Sequence, residues 1–172
     1  MIELEKTYLA KELPKNLRSC KFKEIIDIYI PKTSRHPTLR IRKNGDKYEV
    51  TKKEPVSGLD SSCQEEQTIV LREDEFKSLE KIDGKRIRKL RYYYNYHDRR
   101  GEVDIFQDSL KGLVLVDFEF ETIQEKDEFE MPNFCLVDIT QEKLFAGGML
   151  CGKSYEDIEE NLCGLGYKKL FL

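Results

Sequence analysis

Apolar and polar residues alternate with a period of two through much of this 172-residue chain, the pattern of strands that bury one face. The clearest case is 113–121, where Val114, Val116, Phe118 and Phe120 make one apolar face and Asp117, Glu119 and Glu121 make the other. At the N-terminus Ile2, Leu4 and Lys6 oppose Glu3, Glu5 and Thr7 in the same phase. Leu39 and Ile41 oppose Arg40 and Arg42, and Val50 and Lys52 oppose Thr51 and Lys53. Strands are predicted over 2–10, 24–30, 37–43, 46–54, 64–71, 85–97, 100–107 and 113–121. Asn44-Gly45-Asp46 and Arg99-Arg100-Gly101 read as hairpin turns, so neighbouring strands are mostly antiparallel. Helices are predicted over 73–81, with Phe76 and Leu79 on one face, and over 155–163, where Ser154 and Asp157 resemble a capping box. Pro14 to Leu17 reads as the start of a short helix, and Gly147-Gly148 as a turn. With no repeat and no linker, the chain reads as one domain over 1–172 with a C-terminal helical segment at about 141–172.

Five strands carry two like charges two residues apart: Glu3/Glu5, Arg40/Arg42, Lys89/Arg91, Glu102/Asp104 and Asp117/Glu119. Residues i and i+2 of a strand share a face and lie about 7 Å apart, so each pair crowds like charges on one surface. Two arrangements satisfy the pattern. Either the charged faces form an exterior of cross-strand salt bridges, or the sheet closes into a barrel with a charged lumen and a covered apolar exterior.

Composition narrows the function classes. Lys plus Arg total 30 against 33 Asp plus Glu, a net charge of -3, which argues against nucleic-acid binding by a basic surface. No stretch is long and apolar enough to span a bilayer, and the N-terminus lacks the basic and apolar regions of a signal peptide, so a cytoplasmic protein is expected. The five cysteines are odd in number and lack CxxC spacing, which favours reduced thiols over a disulfide framework or zinc site. His36 and His97 sit in unrelated segments and form no nucleophile–base pair. The tyrosines at 92, 93, 94 and 96 alternate as outer packing and lumen rim rather than as a nucleic-acid platform.

From Glu3 to about Thr140 the residues resemble the CYTH or triphosphate tunnel metalloenzyme superfamily. Its ordered motifs are Glu-x-Glu-x-Lys, Leu-Arg-x-Arg, Thr-x-Lys, Lys-x-Arg-Tyr, Glu-x-Asp-x-Phe and Gly-Leu-x-Leu-x-Glu-x-Glu-Phe. This chain shows, in the same order, Glu3-Leu4-Glu5, Leu39-Arg40-Ile41-Arg42, Thr51-Lys52-Lys53, Lys89-Leu90-Arg91-Tyr92, Glu102-Val103-Asp104-Ile105-Phe106, and Gly112-Leu113 through Glu119-Phe120. The resemblance implies an α+β fold: a closed eight-stranded antiparallel β-barrel with a few flanking α-helices, binding triphosphates in its lumen with a divalent metal.

Guanidinium forks match phosphate oxygens, so Arg40, Arg42 and Arg91, with Lys53 and Lys89, are the expected substrate-binding residues. Carboxylates are hard ligands for Mg2+ or Mn2+; Glu3, Glu5 and Glu119 are the first candidates, followed by Asp117, Glu102 and Asp104. Glu102 and Asp104 serve equally well as partners that hold the cations. Glu5, Tyr29 and Glu66 are the expected catalytic residues, Glu66 holding a second metal or its water beside Thr68. One position departs from the family: where the first motif ends in lysine this chain has Thr7, and Lys6 faces the other way in a regular strand. A bulge turning Lys6 inward would restore the role. Loss of a positioned cation costs on the order of 100-fold in rate. The expected activity is metal-dependent hydrolysis of a triphosphate, tripolyphosphate first, with ATP or thiamine triphosphate behind it, by a monomer or homodimer. The alternatives are a class IV adenylate cyclase-like activity and a polyphosphate- or nucleotide-binding module with little turnover.

Overall fold

The computed structural model describes residues 2–56 and 60–172, and among them the period-two segments close on themselves. Nine strands form the sheet: β1 Ile2–Ala10, β2 Phe22–Ile30, β3 Leu39–Asn44, β4 Lys47–Pro55, β5 Cys63–Leu71, β6 Lys85–Tyr96, β7 Arg99–Phe106, β8 Val114–Phe120 and β9 Cys135–Asp138. Their order is β5-β4-β3-β2-β6-β7-β8-β1-β9, and β5 pairs back onto β1. Every pairing is antiparallel, so the first eight strands make a closed barrel and β9 is appended outside the circuit. The closing seam is short. β1 pairs with β5 only from Ile2↔Glu65 to Leu4↔Cys63, then turns the same edge to β9 from Tyr8 to Ala10.

The charged faces point inward because the other faces find apolar cover. On β8, Val116 and Phe118 are fully buried on the outside, under Tyr8, Phe129 and Phe134. On β3, Ile41 packs with Ile28 beneath Phe76 of helix α1 (Glu73–Leu79). Burying such side chains contributes about 1.5–3 kcal/mol each, well above the worth of an exposed ion pair, so the apolar faces decide the sheet's polarity.

One end of the lumen is stoppered. Followed toward that end, the inward positions change from charged to apolar: Leu9 after Glu5 and Thr7 on β1, Ile87 before Lys89 on β6, Phe106 after Asp104 on β7, and Leu115 before Asp117 on β8. These four residues share one core with Phe145, Leu150, Ile158 and Leu162 of the C-terminal segment. That segment holds the short helices α3 (Gly147–Leu150) and α4 (Glu159–Gly164), with α2 at Ile123–Glu128.

Several predicted elements differ. The helix expected over 155–163 begins at Glu159, although Ser154 and Asp157 do bond reciprocally, Ser154 N to Asp157 Oδ2 at 2.7 Å and Asp157 N to Ser154 Oγ at 3.4 Å. The second hairpin turns at His97-Asp98, one residue pair before the predicted triplet, because Tyr96 already pairs with Arg99. Gly147-Gly148 opens α3 instead of making a turn. A Cβ on Gly147 would fall 2.2 Å from Tyr29 Oη, and one on Gly148 would fall 2.2 Å from the Pro37 carbonyl, so this close approach of the stopper requires glycine.

Candidate active site

The barrel order sorts the lumen charges into two walls. β6, β3 and β4 supply Lys89, Arg91, Arg40, Arg42 and Lys53; β7, β8 and β1 supply Glu102, Asp104, Asp117, Glu119, Glu3 and Glu5. All of them, with Tyr29 and Glu66, line one cavity of about 350 Å³, a size suited to a small ligand. The predicted site residues are therefore brought together.

Buried ion pairs hold both walls. Arg42 donates from Nε and Nη2 to the two oxygens of Asp27 at 2.6 and 2.8 Å, the fork-on-fork geometry that makes Arg–carboxylate pairs strong. Burial alone would raise the Asp27 carboxyl, but Arg42 outweighs it and holds the acid well below the usual range. Arg91 grips Asp104 in the same way, both contacts at 2.7 Å, and also reaches Glu102 and, at 3.5 Å, Asp117. Lys89 donates to Asp104 as well, and burial shifts the Lys89 ammonium down against that pull. Despite its own burial, Asp104 is lowered to about 2 by Arg91 and Lys89. Of the two roles open to Glu102 and Asp104, both are engaged as partners of cations.

The third cluster spans the closing seam, where Lys53 of β4 reaches past β5 to β1. Lys53 Nζ lies 2.5 Å from Glu3 Oε2 and 2.9 Å from Glu5 Oε1. Burial would lower this ammonium, but Glu5 and Glu3 together raise it above the ordinary lysine value. Arg40 stands 3.7 Å from Glu66 and donates to the Tyr29 hydroxyl at 3.4 Å, while Thr68 donates to Glu66 at 2.8 Å.

Asp117 and Glu119 are held differently. Burial first, then the charges of Asp104 and Glu5, push Asp117 up to about 7. Glu119 is also raised to about 7, by burial and by Glu102, Glu3 and Glu5, although it stands at the more open end of the wall. These are carboxylates short of positive charge, a donor set that suits a hard divalent cation. As the side chains lie, no group of three acids or histidines among the described residues is arranged to cage an ion; Glu3 and Glu5 close on Lys53 instead.

Thr7 occupies the position at which the motif calls for lysine. It pairs with Asp117 across β1 and β8, and its hydroxyl donates to Asp117 Oδ1 at 2.8 Å. No bulge turns Lys6 inward: it pairs regularly with Phe118 and its Nζ reaches the Phe129 carbonyl outside the barrel at 3.4 Å. The Tyr29 hydroxyl accepts from Arg40, and burial raises its pKa. Two contributors were not singled out from the sequence. Asp27 sets Arg42, a role signalled by its place two residues before Tyr29 on one strand face. Phe145 closes the cavity's end, and nothing local in the sequence points there.

No protein-family model and no curated protein matches the chain. Its fold does match solved structures. The inorganic triphosphatase NE1496 superposes with a TM-score of 0.63 at 24% identity, over 87% of this chain and 93% of that one. A Bacillus halodurans protein assigned provisionally as an adenylate cyclase gives 0.53 at 16% identity, over 92% and 96%. The PH1012 protein of Pyrococcus horikoshii gives 0.50 at 16%, over 96% and 91%. The closed barrel is thus the fold of these proteins, and the resemblance seen in the ordered motifs holds at the level of the fold.

Proposed function

We propose that the barrel hydrolyses the terminal phosphoanhydride of a triphosphate, inorganic tripolyphosphate first, with Mg2+ or Mn2+. The observation that carries this reading is the charge balance of the lumen. Seven carboxylates (Glu3, Glu5, Glu66, Glu102, Asp104, Asp117, Glu119) and five cations (Arg40, Arg42, Lys53, Lys89, Arg91) line one cavity. Five cations grouped on one wall suit a linear polyanion, yet the excess of acid would repel one that arrived without positive charge. A polyanion bound together with divalent metal resolves both facts. The fold shared with an inorganic triphosphatase supports the reading further.

The chain's own residues divide the work. Arg40, Arg42 and Arg91, with Lys89 and Lys53, hold the phosphate oxygens, while Asp27 and Asp104 fix the planes of Arg42 and Arg91. Glu3, Glu5 and Glu119 are the residues for the ion, which when bound would neutralise charge on the phosphoryl oxygens and activate water. Glu66, set by Thr68, and Tyr29, set by Arg40, stand at the cationic wall beside the phosphates. The apolar stopper excludes bulk water from one end. ATP and thiamine triphosphate are the organic substrates to compare.

A second reading has its own observation. Thr7 places a hydroxyl bonded to Asp117 where a lysine would stand, and a lumen short of that cation is one that binds triphosphates and turns them over slowly. The test is phosphate release from tripolyphosphate, ATP and thiamine triphosphate, with each metal and with chelator, for the native chain, Glu5→Gln and Thr7→Lys. Chelator-sensitive release that Glu5→Gln abolishes upholds hydrolysis. Release that appears only in Thr7→Lys, on the order of 100-fold above the native chain, upholds the binding module. Silence in all three sinks the hydrolase reading.

A further inference from the structure

We propose that Lys53 makes the lumen take a divalent ion and a triphosphate only together. This rests on the reading of the acidic wall as the place of the ion. The Lys53 ammonium lies against Glu3 and Glu5 at 2.5 and 2.9 Å, with 16% of its side chain exposed. Those are two of the three carboxylates that suit the metal. Mg2+ sits 2.0–2.1 Å from its oxygens, so it and the ammonium do not share the same carboxylate faces. One must leave before the other binds.

Where the ammonium goes decides the coupling. Lys53 projects from β4, next to β3, whose Arg40 and Arg42 face the same lumen. If an ion alone takes Glu3 and Glu5, Lys53 is left as a buried cation beside two guanidiniums, facing only Glu66, its partner across β4 and β5, which Arg40 and Thr68 already engage. If a triphosphate alone enters, it meets Lys53 already neutralised by two acids. When both enter, the ion takes the carboxylates and the flexible lysine stem carries the ammonium to a phosphate oxygen, so every charge keeps a partner. Lysine suits this exchange because its compact ammonium turns on a flexible four-carbon stem, whereas the neighbouring Arg42 is pinned by the bidentate Asp27. Coupling of this kind is reciprocal: the anion tightens the ion as much as the ion tightens the anion.

The experiment titrates Mn2+ into the full chain, following its electron-paramagnetic-resonance signal, with and without a non-hydrolysable imidotriphosphate whose own Mn2+ binding is measured separately. The native chain is expected to bind Mn2+ at least about 10-fold tighter in the presence of the analogue. Lys53→Gln is expected to bind Mn2+ tighter than the native chain when the analogue is absent and to lose most of the analogue's effect. Lys53→Met repeats the test with an apolar stem of similar reach. A lysine that merely ties β4 to β1 predicts the reverse, with Mn2+ affinity unchanged or lowered in both variants. That result overturns the proposal, as does a native chain whose Mn2+ affinity ignores the analogue. Because binding is read without turnover, coupling in a chain that releases no phosphate would sink the hydrolase reading alone. Metal-dependent release without coupling would sink only this inference.

Discussion

Asp104→Asn probes how the cationic wall is held. Asp104 is 1% exposed; it takes both nitrogens of the Arg91 fork and the Lys89 ammonium. With its charge removed, Arg91 keeps Glu102 and Asp117, but Lys89 has no other ion pair among the described residues. Removing one partner of a buried pair costs about 3–5 kcal/mol because an uncompensated charge stays behind. In a chain of this length each kcal/mol moves Tm by about 2–4 °C, so a fall of roughly 6–20 °C is expected in thermal melts at neutral pH. The pH dependence follows from the sign of the shift. Asp104 is lowered from 3.8 to about 2, so its contribution is complete above about pH 4 and lost as pH falls through 2, and the native and variant melting curves converge over that window. Tripolyphosphate supplies the missing negative charge, so it raises the variant's Tm more than the native chain's. A variant that melts within about 1 °C of the native chain, or whose deficit is unchanged at pH 2.5, refutes this account of the wall.

The acidic wall titrates in the opposite sense. Asp117 and Glu119 are raised to about 7 from 3.8 and 4.5, so the folded chain holds more protons than the unfolded one between roughly pH 4 and 7. In chelator the Tm should therefore fall as pH rises from 5 to 8, mostly through Asp117, whose side chain is 18% exposed; a flat or rising profile contradicts this. At the stopper, Gly148→Ala drives a Cβ to 2.2 Å from the Pro37 carbonyl and should cost about 1–3 kcal/mol or more by urea denaturation. Gly164→Ala meets nothing within 4 Å and serves as its control.

Much of the barrel is legible in the sequence because an eight-stranded wall with a covered exterior must alternate with period two. Like-charge i, i+2 pairs are answered by opposite charges from other strands, as Asp104 answers Lys89 and Arg91, except at Asp117 and Glu119, where both carboxyls are raised instead. What stayed hidden was held by tertiary contact. β9 is four residues long and exists through its pairing with β1. α2 has no apolar stripe, although Thr122 and Glu125 form a capping box, with Glu125 N donating to Thr122 Oγ1 at 3.1 Å and Thr122 N to Glu125 Oε2 at 3.3 Å, a signal the sequence does contain. The switch of each inward phase from charged to apolar at Leu9, Ile87, Phe106 and Leu115 was also present in the sequence. Its meaning depends on register, because only aligned strands show that these positions lie at one end.

The excess of carboxylates separates two accounts of how such a lumen binds a polyanion, because they assign opposite signs to one substitution. If the cations alone grip the phosphates, Glu119 is a bystander whose charge repels the ligand. Glu119→Gln then tightens tripolyphosphate binding, and chelator changes nothing. If Glu119 holds a divalent ion that bridges to the phosphates, the same substitution weakens binding and chelator weakens it in the native chain. A single charge in a partly screened site is worth about 1 kcal/mol at 4 Å in water and about 4 at an effective dielectric of 20, so either sign reads as about 5-fold or more in Kd. Glu119 is the right position for this test because it has no ion pair among the described residues, so its removal strands no cation. Calorimetry at pH 8, where its carboxyl is mostly ionised, gives the sign directly, and tighter binding in Glu119→Gln would remove this residue from the metal set.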